Sequence, residues 1–178
     1  GEIVATDSFA TNKYPNANDF VAHLSEKLVM LFEQNGGYEH IRSVGVSVPG
    51  GNFITGSIEN SSNLPWDGTV PLAAMLRDRL GLAVALTNNA HARALGEHTY
   101  GSARGITDFL LVTLGHGVGS SFFSKGIVHL GAEGFAGEIG HTCMVEGGRQ
   151  CKCGKQGCLE AYCGHNGVIV TAQELLAA

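Results

Sequence analysis

A chain of 178 residues with 44% hydrophobic and 15% charged side chains is long enough for one ordinary domain with a sizeable core, and too short for most two-domain architectures. No apolar run approaches the roughly 18 residues of a membrane span, and no basic stretch precedes an apolar signal region, which excludes membrane insertion and signal-directed secretion for these residues. The net charge of −5, with lysines and arginines scattered rather than gathered in a stripe, repels a phosphate backbone and argues against nucleic-acid binding by this segment.

The chain opens on the alternation Glu2-Ile3-Val4-Ala5-Thr6, expected as a strand, with no starting methionine, and it stops inside a helical pattern from Thr171 to Leu176. Both ends read as cuts. A helix capped by Asn18 is expected next, its apolar face made by Phe20, Val21, Leu24, Leu28, Leu31 and Phe32, and ended by Gly36-Gly37. Arg42 to Val48 reads as a strand, Pro49-Gly50-Gly51 as a turn, and Asn52 to Asn60 as two short extended pieces meeting near Gly56, before the loop Asn63-Leu64-Pro65-Trp66. A second helix starts near Pro71, buries Leu72, Met75, Leu76 and Leu80, and closes at Gly81.

Leu82 to Thr87 has the composition of a buried strand, and Asn88-Asn89 leads from it into an alanine-rich helix that runs to about Tyr100. After a connector, Gly101 to Thr107, come the strand Asp108 to Leu114, a glycine-rich turn, and the alternating pieces Val118 to Ser124 and Ile127 to Leu130 around Lys125-Gly126. Strands alternating with helices imply an α/β fold with a largely buried sheet. A boundary is expected near Thr107. The stretch from Gly134 to Gly164 is rich in glycine and cysteine and poor in periodicity, so something other than an apolar core has to order it.

That stretch carries the most specific signal, His141 followed by Cys151, Cys153 and Cys158. One imidazole and three thiolates make a closed tetrahedral zinc set, and the interleaved Gly147, Gly148, Gly154 and Gly157 let the backbone wrap an ion. Reduced core cysteines, or a disulfide in an exported chain, are the plainer readings, and the glycines weigh against both. Cys143 and Cys163 are left over and are expected as small buried apolar residues. Gly115-His116-Gly117-Val118-Gly119-Ser120 follows a strand, but the alternation after it argues for another strand rather than the helix of a dinucleotide fingerprint. It reads either as a hairpin whose backbone N–H groups face phosphate or as a tight glycine turn. Asn88-Asn89, Glu138 with His141, and Glu160 could meet a sugar, since hydroxyl-rich ligands need several fixed donors and acceptors. Taken singly, each is more commonly a solvated carboxylate or a helix cap, and only proximity to the zinc loop favours the sugar reading.

Gly134-Phe135-Ala136-Gly137-Glu138-Ile139-Gly140-His141, followed by Cys151-x-Cys153-Gly154-x-x-Gly157-Cys158-Leu159-Glu160, resembles the signature of the ROK family of sugar kinases and related repressors. Val48-Pro49-Gly50, Asn63-Leu64-Pro65-Trp66 and Leu114 to Ser120 extend the resemblance over nearly the whole chain. It implies part of an actin-like, ribonuclease-H-like ATPase fold, with residues 1–107 from the N-terminal lobe and 108–178 opening the C-terminal lobe with its phosphate turn and zinc loop. It implies a hexose as substrate, glucose ahead of N-acetylated amino sugars or fructose, with zinc in the loop and ATP and Mg²⁺ in the full-length family member. The protein would be cytoplasmic and homo-oligomeric. Carried over by position, the resemblance makes Asn63, Asn88, Glu138, His141 and Glu160 hexose contacts, His141 being shared with zinc, and makes Gly115, His116, Gly117 and Gly119 the phosphate turn.

Two departures fall on chemistry. The family pattern Asn-Asp-Ala-Asn, whose aspartate is the catalytic base, reads here Asn88-Asn89-Ala90-His91, and His116 stands where the phosphate turn usually has threonine. An Asp-x-Gly-Gly-Thr phosphate loop and a closing helical part are not in the sequence. The expectation is therefore a chain inactive as given, with two rivals: a sugar-responsive ROK repressor whose helix-turn-helix would lie upstream, and a non-catalytic sugar-binding protein.

Overall fold

A computed structural model describes residues 2–59 and 64–177. The chain divides into two compact units, Gly1–Asn89 and Ala90–Ala178.

In the first unit, α1 (Ala17–Gln34) precedes β1 (Ser43–Val48), the antiparallel pieces β2 (Gly51–Asn52), β3 (Ser57–Glu59) and β4 (Thr69–Val70), α2 (Leu72–Leu80) and β5 (Ala83–Asn88). β1 and β5 pair in parallel, with Val46 opposite Leu86 and Val48 opposite Asn88. A parallel pair needs a long crossover, and the small sheet with α2 provides it. Leu72, Leu76 and Leu80 recur every four residues, so they share one helix face and meet Phe20, Val21, Ile58, Trp66, Val70 and Leu86 in the core. Gly81 ends α2 in the left-handed region at φ 62°, its N–H bonded to the Arg77 carbonyl.

Two expectations need correction here, and one strand was not foreseen. Residues 2–6 form no strand: they pair with no described strand, and Ile3 and Val4 are exposed, because alternation marks a strand only where a neighbour takes up its backbone groups. The cap of α1 is Asn16, not Asn18: its side-chain oxygen accepts the Asp19 N–H at 2.9 Å and its amide donates to the Asp19 carboxylate at 2.6 Å. β4 was not expected, because two residues are too few to show a period.

The second unit contains most of α3 (Asn89–Tyr100) and the antiparallel sheet β6 (Phe109–Leu114), β7 (Val118–Ser124) and β8 (Ile127–Val128). It continues through a 3-10 turn at Ile139–His141 to α4 (Glu160–Cys163) and α5 (His165–Leu176). Lys125 and Gly126, at φ 52° and 81°, make the two-residue turn that suits the twist of the hairpin. Phe123 of β7 stacks on Phe109 at 4.7 Å and on His98 of α3 at 4.5 Å, which closes the sheet under the helix. Among the described residues no helix is long and apolar enough to cross a membrane.

Candidate functional site

Asn88 ends β5 and Asn89 starts α3, so both stand at the carboxyl edge of the parallel pair, where open α/β sheets present ligand-binding groups. The Ser47 hydroxyl, one strand over, donates to Asn89 Oδ1 at 2.6 Å. Gly51 permits this crowding, since a Cβ there would lie 2.5 Å from the Thr87 carbonyl oxygen. His91, two residues further on, is buried, and its Nε2 donates to the Ala136 carbonyl at 3.0 Å. Sequence reasoning noted His91 only as a departure from a pattern; its reach to a residue distant in sequence gave no local signal.

In the second unit, His141, Cys151, Cys153 and Cys158 place one ligand atom each within 4.8 Å of one another. The spacing of those atoms tests the fit. A tetrahedron with zinc–sulfur bonds of about 2.3 Å has sulfur–sulfur edges of about 3.8 Å and sulfur–nitrogen edges of about 3.6 Å. Cys153 and Cys158 Sγ are 3.7 Å apart, and Cys151 Sγ lies 3.6 Å from His141 Nδ1. The donor set suits zinc, and these two edges match those of its tetrahedron. Burial, reinforced by the neighbouring thiols, pushes the Cys158 thiol up to about 12, whereas the backbone N–H of Lys155 holds Cys153 below the usual thiol range.

Glycines bring this loop onto the sheet. A Cβ on Gly140 would sit 2.3 Å from the Val118 carbonyl oxygen, and one on Gly137, at φ 99°, would sit 2.8 Å from that of Ser120. The Ser120 hydroxyl also donates to the Gly137 carbonyl. So fixed, Glu138 carries its carboxylate to 3.9 Å from His141 Nε2, on the opposite ring edge from the Cys151 sulfur. A ligand imidazole backed by a carboxylate is a recurrent way to orient a metal-binding histidine. Cys143 and Cys163, expected to be buried, are exposed; this loop has too little apolar surface to cover them.

Gly115 to Val118 forms the β6–β7 hairpin turn, with strand rather than helix following, as the alternation required. Glu160, first residue of α4, accepts the Val118 N–H at 2.8 Å, and Gly117 makes room for its carboxylate, which lies 2.4 Å from where a Cβ would be. The His165 N–H binds the Gly115 carbonyl at 2.8 Å, and the His116 and His165 rings are 6.0 Å apart. Glu138, His141, Glu160 and the glycine turn thus gather in one unit. Asn88 and Asn89 close the other, and Asn63 lies outside the described residues.

The ROK family model matches residues 2–177. A glucokinase of Halalkalibacterium halodurans is 36% identical over 179 residues, covering 98% of this chain and 53% of the relative. A putative xylose repressor of a Caldicellulosiruptor species is 35% identical over 137 residues, covering 76% of this chain and 34% of the relative. Among solved structures, a ROK family glucokinase from Streptomyces griseus, in complex with glucose and AMPPNP, superposes with a TM-score of 0.75 at 28% identity, covering 90% of this chain and 50% of that one. The chain therefore spans about half the length of the glucokinases it matches, and its architecture is part of their actin-like ATPase fold.

Proposed function

Because this chain belongs to the ROK family, we propose that it supplies the hexose-binding and zinc-holding portion of a sugar kinase of the glucokinase type. The observation that carries the reading is the pairing of Glu138 with His141, a carboxylate and an imidazole held 3.9 Å apart on a loop whose other edge is a zinc-sized donor set. Rigid carboxylates and imidazoles of this kind suit sugar hydroxyls, which reward fixed acceptors. Glu138, His141 and Glu160 are the proposed hydroxyl contacts of the second unit, and the family pattern assigns the same task to Asn63 and Asn88. Glucose is the proposed hexose. Gly115, His116, Gly117 and Gly119 form the proposed phosphate turn. ATP with Mg²⁺ is the phosphoryl donor of the proposed full-length protein, a cytoplasmic homo-oligomer with residues 1–107 and 108–178 in its two lobes.

Position 89 is where the attacking hydroxyl's base would stand, and here it is an amide whose oxygen already accepts from Ser47. An amide can hold a hydroxyl but cannot take its proton. The proposed chain therefore binds sugar and transfers phosphate poorly. That same observation, with the repressor relative, favours a second reading in which sugar occupancy is a signal rather than a step in turnover. Calorimetric titration with glucose, N-acetylglucosamine, N-acetylmannosamine, fructose and xylose, alongside an ADP-release assay, tests both. Saturable binding of glucose in preference to the others, lost in Glu138→Gln, supports the kinase-type sugar site; preference for xylose without turnover supports the regulator. No binding of any of these sugars overturns both.

A further inference from the structure

α4 and α5 would form one continuous helix but for a break at Gly164. At that break the His165 N–H, which helical geometry would give to the Ala161 carbonyl, is diverted to Gly115. The Ala161 carbonyl is then left needing a donor. Arg149, from the metal loop, supplies it. Its Nη1 lies 3.2 Å from the Ala161 carbonyl, 3.0 Å from the Gly167 carbonyl and 2.9 Å from Thr171 Oγ1. Its Nη2 lies 2.5 Å from the Glu174 carboxylate, and its guanidinium carbon is 4.6 Å from the centre of the Tyr162 ring. The side chain is only 20% exposed, so its contacts with Ala161, Gly167 and Thr171 are made largely out of water, while the pairing with Glu174 lies at the surface.

The backbone around Arg149 is tied as firmly. Its N–H donates to the Tyr162 hydroxyl at 3.0 Å, and its carbonyl accepts the N–H of Gly157, the residue before ligand Cys158, at 2.8 Å. Gly148 and Gly167 leave the space required: a Cβ on the first would meet the Tyr162 hydroxyl at 2.2 Å, and one on the second would meet the Ala161 carbonyl at 2.6 Å. The helix break that Arg149 closes is also the part of the unit that grips the glycine turn, through Glu160 on Val118 and through His165 on Gly115.

We infer that Arg149 is a positioning residue that couples the His141/Cys151/Cys153/Cys158 loop to the Gly115–Val118 turn and to the placement of Glu160. A planar fork with several donors is needed for this: the two Nη1 hydrogens are shared among the Ala161 and Gly167 carbonyls and the Thr171 hydroxyl, which itself donates to the Gly167 carbonyl, while Nη2 reaches the Glu174 carboxylate; a lysine, a point charge without the fork, spans fewer of them. The inference rests on the proposed reading only for the role of zinc in stiffening the loop. The clamp itself stands on the contacts above.

Amide hydrogen exchange by NMR on the whole 178-residue chain tests it, in zinc-loaded and chelated protein. In Arg149→Gln the Val118 and His165 amides should exchange at least about tenfold faster than in the parent, while zinc stoichiometry and the β1 and β5 amides stay unchanged. In the parent, chelation should accelerate the same two amides; in Arg149→Gln chelation should add little, a loss of coupling that general destabilisation does not produce. Unchanged exchange at Val118 and His165 in Arg149→Gln, or a chelation effect as large as the parent's, overturns the inference. If Arg149→Gln does not fold, Arg149→Lys and Thr171→Val decide it, faster exchange at both amides upholding the clamp and parental rates overturning it. A parent chain that binds zinc yet shows no chelation effect at these two amides overturns the coupling; one that binds no zinc overturns the proposed metal site instead, and the Arg149→Gln rates then decide the clamp.

Discussion

At position 89 the difference between carboxylate and amide is one of basicity at nearly constant shape. Ser47 donates to Asn89 Oδ1, so the side chain is held in place without being able to accept the proton of an attacking hydroxyl. General-base assistance is worth roughly 10² to 10⁴ in rate, and in a full-length protein carrying this chain Asn89→Asp should raise sugar phosphorylation by about that factor. Sugar affinity should move far less, because the proposed contacts Asn88, Glu138, His141 and Glu160 are untouched. Rate and Kd measured on the same two proteins check this; an unchanged rate with a strongly shifted Kd makes residue 89 a binding residue only. The metal ligands give a second residue-scale expectation. The Cys158 thiol, pushed up to about 12, keeps its proton through the neutral range when no metal is bound, and zinc requires the thiolate. Binding therefore releases protons, and the sign follows: zinc affinity rises with pH, by about tenfold per pH unit for each proton released, and is lost by the same factor as pH is lowered. Competition with a chromophoric chelator between about pH 6.5 and 8 measures the slope; a flat profile contradicts thiolate ligation. At this scale the clustering of His141, Cys151, Cys153 and Cys158 was legible because zinc chemistry fixes residue types at short spacings. The bond from Ser47 to Asn89 and that from His91 to Ala136 were not, since each joins residues more than forty positions apart.

Elements were legible where they carry a long period. α1, α2 and α3, β1, β5, β6 and β7 all lie where apolar spacing and glycine stops put them, with ends shifted by a few residues. The shift at the start of α1 has a definite cause: Asn16 and Asn18 are both competent caps, and only Asn16 has Asp19 three residues on to return the bond. Replacing Asn16 by Ala should cost about 1 kcal/mol of stability, and Asn18→Ala far less, read from denaturant midpoints at unchanged slope. Equal effects would return the cap to Asn18. The Gly134 to Gly164 stretch resisted reading for the opposite reason. Its order comes from close approaches at Gly137, Gly140 and Gly157, from the clustered ligands and from Arg149, none of which leaves a period in the sequence.

For the whole molecule, the proposal is that a metal-ordered loop carries sugar-binding carboxylates in a chain of the ROK family. Among the described residues, the only buried apolar side chains of the loop are Cys151 and Cys158, so the proposed metal binding would be folding energy for the segment that holds Glu138 and, through α4, Glu160. Sugar and zinc should then favour each other. The two compact units came from geometry rather than sequence: no loss of periodicity marks Asn89, which lies at a strand-to-helix junction. The most direct measurement is the glucose Kd of the chain, determined by calorimetry with zinc loaded and again after chelation. The account predicts one saturable site per chain in the loaded protein, weakened at least about tenfold when the metal is removed. Saturable glucose binding that is indifferent to chelation, or a zinc-loaded chain that binds no glucose, would contradict it.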